Sequence, residues 1–289
     1  MLKSIYGEFE KKLKKKYSQK EAFEKLENYS TNKNVVKKLI ENKIVKDEKT
    51  YLKDLHDFLI DFTKFKLKRE YSPDKIIVQL VQGLEDSEKI TNLMYERVSE
   101  IFSTYDPEKE KEFTNMKQMS EYIVKNVKQG KNKNKMGWDL NKDEILILRK
   151  FSLELLNYIK FKEELEKYIE KIMKKFAPNL TIVAGPILGA RLINSAGSLE
   201  RLSKFPSSTI QVLGAEKALF RHLRSGAKPP KHGLVLQHPL VLAAGKNKGR
   251  VARMLASKIM IACRTDYFSK GKKIIGEKLL EDLKNKVKK

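Results

Sequence analysis

The 289-residue sequence predicts a mainly α-helical fold in three parts: a small N-terminal domain, a long antiparallel coiled-coil hairpin and a helical C-terminal domain. Two seams of apolar residues, spaced alternately three and four positions apart, predict the two hairpin helices. An Ala-Pro-Asn break after the second seam, followed by many small residues, predicts the change to a globular domain. We place the domains at residues 1–71, 72–176 and 177–289.

The N-terminal domain is rich in Lys and Glu, and its apolar residues are spaced as in short helices over residues 38–65. Any strands are too weakly marked to place, so a helical and an α/β domain both stay open. YSTNKN at 29–34 predicts a turn. The size suits a docking unit, and His56 is interpreted as a surface residue rather than a ligand.

The first hairpin helix is predicted to begin at Ser72-Pro73 and to end at Asp106-Pro107. Serine is a good N-cap, and proline is favoured at the first helical position. Two polar residues in mid-seam, Ser87 and Thr91, are typical of positions that fix register. The seam consists of Ile77, Leu80, Leu84, Ser87, Thr91, Met94, Val98, Ile101 and Tyr105.

The second hairpin helix is predicted to begin at a capping box of Asn141 and Glu144. Its seam has one irregular step, at Tyr158, and consists of Leu148, Phe151, Leu155, Tyr158, Phe161, Leu165, Tyr168 and Ile172. Each helix is about 45 Å long at 1.5 Å per residue. The connector, 106–140, is predicted to be partly helical and then Gly- and Lys-rich.

The seams predict either an intramolecular core or self-association, and the pattern alone leaves both open. A long hairpin buries little surface against itself, so a second copy is a natural partner. The candidate dimerisation residues are Leu84, Met94, Val98, Leu155, Phe161 and Leu165.

The charge points to a polyanionic partner. The formal net charge is +24, and residues 175–289 hold 23 Lys and Arg against 6 Asp and Glu, a net charge of +17. Such a C-terminal excess favours nucleic acid before membrane. The sequence has no run of about 18 apolar residues and no secretory leader at its start, so an intracellular protein without a membrane span is expected. Cys263, the one cysteine, is expected in the core.

The stretch GAEKALFRHLRSGAKPPKHG, residues 214–233, predicts an amphipathic helix ended by Gly226. Lys217, Arg221 and Arg224 fall within about 60° of one another on that helix. Leu219, Phe220 and Leu223 occupy the other face, which we expect to anchor the helix in the core. Beyond it, Pro229-Pro230 stiffens an extended link that carries Lys228, Lys231 and His232. Cations along one edge and a ring for stacking favour RNA or DNA binding over a merely solubilising face.

A second basic cluster crowds the start of a later helix, where the helix dipole disfavours cations. It comprises Lys246, Lys248, Arg250 and Arg253, of which Lys248 and Arg250 are candidate RNA ligands. From Met254 to Cys263 that helix is apolar nearly all round and is predicted to be buried. The tail LLEDLKNKVKK reads as a solvated basic end.

The small-residue stretch GPILGAR matches no phosphate-loop pattern and predicts instead a helix packed close to its neighbour. The four histidines and one cysteine have no spacing typical of a catalytic or metal-binding set. An enzyme is therefore the weaker class of function.

Two long stretches resemble the Nop domain, the RNA-binding domain of box C/D ribonucleoprotein scaffold proteins. They are GPILGARLINSAGSLERLSKFPSSTIQVLGAEKALFRHLRSGAKPPKHG and KNKGRVARMLASKIMIACRTDYFS, and the resemblance spans about residues 178–276. SPDKIIVQLVQGLEDSEKITNLMYERVSEIFSTYDPE and MGWDL are similar to the coiled-coil domain of the same family.

The resemblance implies a non-catalytic scaffold for RNA-guided 2′-O-methylation of rRNA or tRNA. The implied partners are a guide RNA with a kink-turn, a ribosomal-protein-like kink-turn binder, fibrillarin docked on the N-terminal domain, and a second copy paired through the coiled coil. S-adenosylmethionine is expected only in fibrillarin. This chain is expected to hold no cofactor, metal or catalytic residue.

The resemblance also implies residue roles. Gly214, Ala215, Glu216 and Lys217 would face RNA and the kink-turn binder. The residues that would contact RNA backbone and loop are Arg221, Arg224, Lys228, Lys231 and His232.

The chain departs from the family pattern in having only about 70 residues before the coiled coil, and in VLAAGKNKGR, which resembles the eukaryotic variant of that loop. Its short length favours an archaeal, cytoplasmic member, whereas a eukaryotic one would be nucleolar. An RNA-modifying enzyme acting alone and a spliceosome-type Nop-domain assembly factor are the alternatives, although GAEKALFRHL has the box C/D form.

Overall fold

The chain separates into two compact units, Met1–Ser72 and Pro73–Lys289. The structure is a computed structural model that describes residues 2–4, 7–9, 13–16, 33–69, 72–128 and 136–288. Helices make up most of the described residues in both units, so the prediction of a mainly α protein is confirmed. The hairpin and the C-terminal helices belong to the same unit.

The described residues of the N-terminal unit form a small antiparallel sheet and two helices. Strands β1 (Leu2–Ser4), β2 (Gly7–Phe9) and β3 (Leu13–Lys16) lie in sequence order, with Leu2 opposite Phe9 and Gly7 opposite Lys16. Helices α1 (Lys33–Glu41) and α2 (Glu48–Arg69) follow. Residues 29–32 of the predicted turn lie outside the described part of the chain, and 33–34 are already helical. The buried apolar residues of this unit are Leu39, Val45, Tyr51 and Leu55.

The hairpin begins where the sequence predicts. Pro73 is the first residue of α3 (Pro73–Tyr105). Before α6 (Lys142–Phe176), the Asn141 side chain accepts the Glu144 N–H at 2.9 Å, and the Glu144 carboxylate accepts the Asn141 N–H at 2.7 Å. The predicted capping box is therefore confirmed. The connector contains α4 (Pro107–Glu110) and α5 (Met116–Asn126), and its Gly- and Lys-rich part, 129–135, lies outside the described residues.

The predicted α6 seam is correct at its start and wrong after its middle. The side chains of α6 that face α3 or α5 repeat without interruption at spacings of four and three, so α6 has no irregular step. The prediction crosses at Tyr158 to another face, on which Phe161 and Tyr168 are 48% and 49% exposed. The buried and half-buried residues of the inner face are Leu148, Ser152, Leu155, Ile159, Lys162, Glu166, Ile169 and Met173.

Three of the candidate dimerisation residues are core residues of the single chain. Leu84, Val98 and Leu155 are each 0% exposed because α3 and α6 pack against each other. They cannot touch a second copy, so their assignment as dimer contacts is wrong. Met94 and Leu165 are half-buried, and only Phe161 presents a large open surface.

The two polar seam residues of α3 are satisfied within their own helix. The buried Ser87 and Thr91 hydroxyls donate to the carbonyls of Gly83 and Ser87, each at 2.7 Å. Such a bond to the preceding turn lets a hydroxyl occupy a core position without a partner on the opposite helix.

The C-terminal helices wrap around one long central helix, α13 (Lys248–Ser269). Its inner face is built from small and branched apolar residues and is fully buried. Two short 3₁₀ turns, Leu234–Gln237 and Gly245–Asn247, link the last helices. The others are α7 (Pro178–Ala184), α8 (Pro186–Ala196), α9 (Leu199–Lys204), α10 (Ser207–Val212), α11 (Glu216–Ser225), α12 (Pro239–Leu242) and α14 (Gly276–Lys288).

A buried polar network ties α7 to α13 and α14. The Asp266 carboxylate accepts the Leu180 N–H at 2.8 Å and the Asn179 side-chain amide at 2.6 Å. The Asn179 carbonyl oxygen in turn accepts the N–H groups of Ile275 and Gly276. Burial raises the pKa of Asp266, and the hydrogen bonds from Leu180 and Asn179 oppose that rise.

Two predictions about packing have opposite outcomes. Gly189 on α8 lies so close to its neighbours that a Cβ there would stand 3.0 Å from Met173 Cε, which confirms a close-packed helix. The prediction of a solvated tail is wrong, because Leu283 of α14 is fully buried and Leu279 packs beside it.

Cys263 is buried as predicted, and that burial raises the pKa of its thiol.

Candidate nucleic-acid interface

Helix α11 is fixed at both ends by local backbone geometry. The Glu216 carboxylate turns back to accept the Gly214 N–H at 2.7 Å, beside the left-handed turn that Gly214 makes at φ 86°. A side chain at Gly214 would clash with Leu234, since a Cβ would lie 2.5 Å from its Cγ. At the other end, Gly226 adopts φ 65° and donates to the His222 carbonyl, as predicted for a helix-ending glycine.

The cationic stripe of α11 is open to solvent. Lys217, Arg221 and Arg224 are all exposed, and none forms an ion pair with an acidic residue in the described part of the chain. An ordinary solvated helix pairs its charges, as Lys204 and Glu200 do on α9 at 2.6 Å. Unpaired cations on one face leave their full charge available to an anionic partner.

The apolar face of α11 is also exposed to solvent. This contradicts the prediction that it anchors the helix in the core. Phe220 and Leu223 are 60% and 70% exposed, and Leu219 is half-buried. Helical periodicity identifies an apolar face but not the surface that covers it. The helix therefore offers a charged face and an apolar face at once.

The link after α11 is held at several points. The His222 ring Nδ1–H donates to the Ala227 carbonyl, and the Gln211 side-chain amide donates to the Lys231 carbonyl at 2.7 Å. The Gly233 N–H donates to the Gln211 carbonyl at 2.8 Å. These bonds add to the stiffness of Pro229-Pro230, so the link has a fixed path.

The side chains of the link face outward in part. Lys228 and Lys231 are exposed, whereas His232 is half-buried. No room exists for a side chain at Gly233, where a Cβ would lie 2.1 Å from the Leu213 carbonyl oxygen. The tight approach of Gly233 to Leu213 therefore sets where Lys231 and His232 point.

The two basic clusters of the sequence meet in space. A Cβ at Gly249, in the first turn of α13, would lie 3.8 Å from Lys231 Cβ. Lys231 therefore lies beside Lys248, which is half-buried, and Arg250, which is exposed. The start of α13 has no side-chain cap, so its free N–H groups add to the positive potential there.

We name this surface the basic platform. It consists of Lys217, Arg221, Arg224, Lys228, Lys231, His232, Lys248 and Arg250. Sequence reasoning found these cations but missed Gln211 and Gly249, which position the link. Nothing in STIQVLG or KNKGR marks an amide or a glycine for that role, because the contacts depend on tertiary packing.

The histidines, cysteine and acidic residues of the described chain were the candidates for metal ligands. Among the described residues they form no group of three or more side chains able to hold a metal ion. Burial of His238 lowers its pKa, and its ring Nδ1 accepts the Leu240 N–H at 3.2 Å, so this histidine caps α12. None of the helices described is long and apolar enough to cross a membrane.

Comparison with protein families gives a match to the Nop model, described as "snoRNA binding domain, fibrillarin", over residues 86–289. That range includes most of the hairpin and all of the basic platform. The chain is also similar, at 27% identity and a TM-score of 0.50, to a solved structure described as a fibrillarin/Nop5p complex. The likeness covers 99% of this chain and 97% of the other.

Curated relatives come from archaea and eukaryotes. A NOP5 family protein of Methanocaldococcus jannaschii is 40% identical over 263 residues, which is 82% of this chain and 62% of that protein. Nucleolar protein 58 of Candida albicans is 34% identical over 70% of this chain and 44% of its own length. Human nucleolar protein 56 is 41% identical over 53% of this chain and 26% of its own length. The chain thus spans less than two thirds of each relative.

Proposed function

The chain belongs to the Nop family, and we propose on that basis that it is a non-catalytic scaffold of a box C/D guide ribonucleoprotein. In this role it binds a guide RNA and recruits the enzyme that methylates the 2′-hydroxyl of a target nucleotide in rRNA or tRNA. The single observation that carries the proposal is the basic platform, whose unpaired cations lie within the residues matched by the family model.

We assign the RNA to the cationic face of α11 and the adjoining link. Lys217, Arg221 and Arg224 bind phosphates along one strand, and Lys231 with Arg250 continues the contact to the start of α13. His232 lies close enough to the same edge to stack on an unpaired base. Glu216 positions the backbone of Gly214 instead of facing a partner in the free chain.

The exposed apolar face of α11 suits the second partner, the kink-turn-binding protein. Phe220 and Leu223 would be costly to leave in water, and they lie on the same short helix as the phosphate-binding cations. A protein bound there touches the RNA and this chain together. Such a composite surface explains a requirement for both partners, because each one alone covers only one face.

Pairing of two copies is assigned to the outer face of α6. Ile147, Phe151, Phe161 and Tyr168 are 38% to 49% exposed and are separated by multiples of about three and a half residues. This apolar stripe runs along the side of α6 that faces away from α3. It replaces Leu84, Val98 and Leu155 as the dimer contact.

Fibrillarin docking is assigned to the N-terminal unit, where α2 exposes Leu52, Leu59 and Leu67 on one side. S-adenosylmethionine belongs to fibrillarin in this scheme. The particle is cytoplasmic if the source is an archaeon and nucleolar if it is a eukaryote, as the names of the eukaryotic relatives suggest.

A reconstituted methylation assay tests the scaffold role. Guide RNA, target RNA, S-adenosylmethionine and the kink-turn binder are combined with the full chain, with and without fibrillarin. Methyl transfer that requires both fibrillarin and this chain supports the proposal. Methyl transfer by the chain in the absence of fibrillarin would show an RNA-modifying enzyme instead.

A further inference from the structure

Helix α13 has a solvent face along its whole length, although the sequence predicts burial of its middle. Six residues spaced three or four apart fall within about 80° of one another on this helix. Arg250, Arg253 and Arg264 are exposed, as are Ile261 at 37% and Phe268 at 75%, and Ser257 is half-buried. We call Arg250, Arg253, Ser257, Ile261, Arg264 and Phe268 the outer face of α13.

The outer face carries positive charge without any acid. The single acidic residue of α13 is Asp266, which is buried on the opposite side and bound to Asn179 and Leu180. The exposed surface of α6, in contrast, mixes both signs, as Lys174 and Glu170 do at 2.7 Å. The arginines of the outer face therefore differ from an ordinary solvated surface.

The turn after α13 extends the positive surface, and hydrogen bonds to its backbone fix its conformation. Lys270 and Gly271 adopt φ 50° and 72°, and the Gly271 N–H donates to the Asp266 carbonyl at 3.1 Å. The Asn179 amide donates to the Lys273 carbonyl at 2.7 Å. The side chains of Lys270, Lys272 and Lys273 nevertheless point into solvent. A buried amide thus fixes the backbone that presents three cations beside Phe268.

Contacts with neighbouring side chains and backbone orient two members of the outer face, Arg264 and Phe268. The Arg264 Nε–H donates to the Ser203 carbonyl at 3.1 Å, which fixes the side chain at the end of α9. Tyr267 and Phe268 pack edge to face at 5.2 Å, so Phe268 is oriented while most of its ring stays open.

We propose that the outer face of α13 and the turn at 270–273 form a second RNA-binding surface, continuous with the basic platform at Arg250. The inference rests on the proposed function in that it extends the same RNA. The 22 residues of α13 span about 33 Å, so the surface leads a single strand from the platform to Phe268 at the far end. Lysines and arginines bind its phosphates, and Phe268 stacks on a base.

The spacing of the apolar groups favours RNA over an acidic protein. A protein helix docks on a continuous apolar groove, whereas Ile261 and Phe268 stand apart with Arg264 between them. A single exposed ring, that of Phe268, beside guanidinium and ammonium groups is a pattern that binds unpaired bases and phosphates. Continuity with the platform gives one strand an unbroken positive path.

Binding of a fluorescein-labelled, unstructured 20-nucleotide oligouridine to the full chain tests this surface without the kink-turn binder. The variant Arg264→Ala with Lys272→Ala and Lys273→Ala should lower the affinity at least tenfold, and the logarithmic salt slope should fall by about 0.7 for each phosphate that the variant no longer neutralises. Phe268→Ala should weaken binding about fivefold or more, with Phe268→Tyr restoring it.

The matched control removes two exposed lysines of α14, Lys278 and Lys284, by substitution with alanine. If the surface is specific, the control variant should change the affinity for oligouridine less than twofold. Equal losses in both variants, or no loss in either, would overturn the proposal and leave the face to an acidic protein partner or to solvent. A separate failure of kink-turn assembly with intact oligouridine binding would count against the proposed function and not against this surface.

Discussion

The guanidinium group of Arg191 on α8 lies 3.0 Å from the carboxylate of Glu88 on α3 and donates to both of its oxygens. Its other terminal nitrogen donates to Gln237 at 2.9 Å, and Lys162 of α6 stands 3.4 Å from the same carboxylate. Glu88 thereby joins both hairpin helices to the C-terminal helices through one group. These contacts join α8 and the turn at Leu234–Gln237 to the coiled coil.

Arg191→Met should lower the free energy of unfolding by about 1–3 kcal/mol, because it leaves Glu88 short of its bidentate partner in a half-buried site. Urea denaturation of the full chain measures the effect. The control is Lys89→Met, which removes an exposed pair with Asp86 and should change the free energy of unfolding much less than Arg191→Met does. Similar losses of stability in the two variants would show that the ion pair of Arg191 contributes no more than an exposed surface pair.

Substitution of the cationic stripe should weaken RNA binding and leave the fold intact. Lys217→Ala with Arg221→Ala should cost about 1 kcal/mol or more for each contact in the assembled particle, since both side chains give up charge-assisted bonds to phosphate. A gel shift with kink-turn RNA and its binder measures the loss, and sedimentation checks that the dimer persists. An unchanged shift would remove the stripe from the RNA interface.

Substitution of the apolar face of α11 should separate partner binding from stability. Phe220→Ser with Leu223→Ser should change the free energy of unfolding by less than about 0.5 kcal/mol, because both side chains are largely exposed. The same variant should lose binding of the kink-turn protein in the ternary complex. A stability loss of about 2 kcal/mol or more would mean that these side chains pack in the protein's own core, as the sequence suggested.

The outer face of α6 should control the oligomeric state. Phe161→Glu with Tyr168→Glu should convert a dimer into a folded monomer whose melting temperature no longer depends on protein concentration, as followed by analytical ultracentrifugation and thermal unfolding. Leu155→Ala is the contrasting variant and should cost about 2–5 kcal/mol of stability, because that side chain is fully buried. A dimer that survives both glutamates would place the contact elsewhere.

Stability should fall on mild acidification because of His238. Burial lowers the pKa of this histidine below its ordinary 6.5, so the unfolded chain takes up a proton before the folded chain does. The stabilisation is complete above about pH 6.5 and is lost as the pH falls from there toward the folded-state pKa. His238→Asn keeps an N-cap for α12 and should flatten the pH dependence, as measured by unfolding at pH 5 to 7.5. An unchanged slope would assign the effect to another group.

The features of the fold that the sequence predicted correctly depend on residues that are close to one another in the chain. Proline at the start of α3, the capping box at Asn141 and Glu144, and the glycine that ends α11 each act within one turn of helix. The burial of the α14 tail was not predicted, because its many charged residues obscure the pattern of Leu279 and Leu283. These two residues are four positions apart and share one face of the helix.

The site was predictable in composition and not in arrangement. Clusters of cations are visible in the sequence, but the approach of Lys231 to Gly249 depends on how α10 and α13 pack. The exposure of Phe220 and the burial of Leu84 within the single chain could not be predicted from the sequence, because both also depend on tertiary packing. Periodicity shows that a face is apolar, and only the fold shows whether the chain itself or a partner covers it.

Titration of kink-turn RNA with the full chain, in the presence and absence of the kink-turn binder, tests the central claim most directly. A composite scaffold surface predicts tight, salt-sensitive binding only when the kink-turn binder is present, and much weaker binding to RNA of scrambled sequence. Equal affinity for kink-turn and scrambled RNA, with or without that protein, would contradict the account.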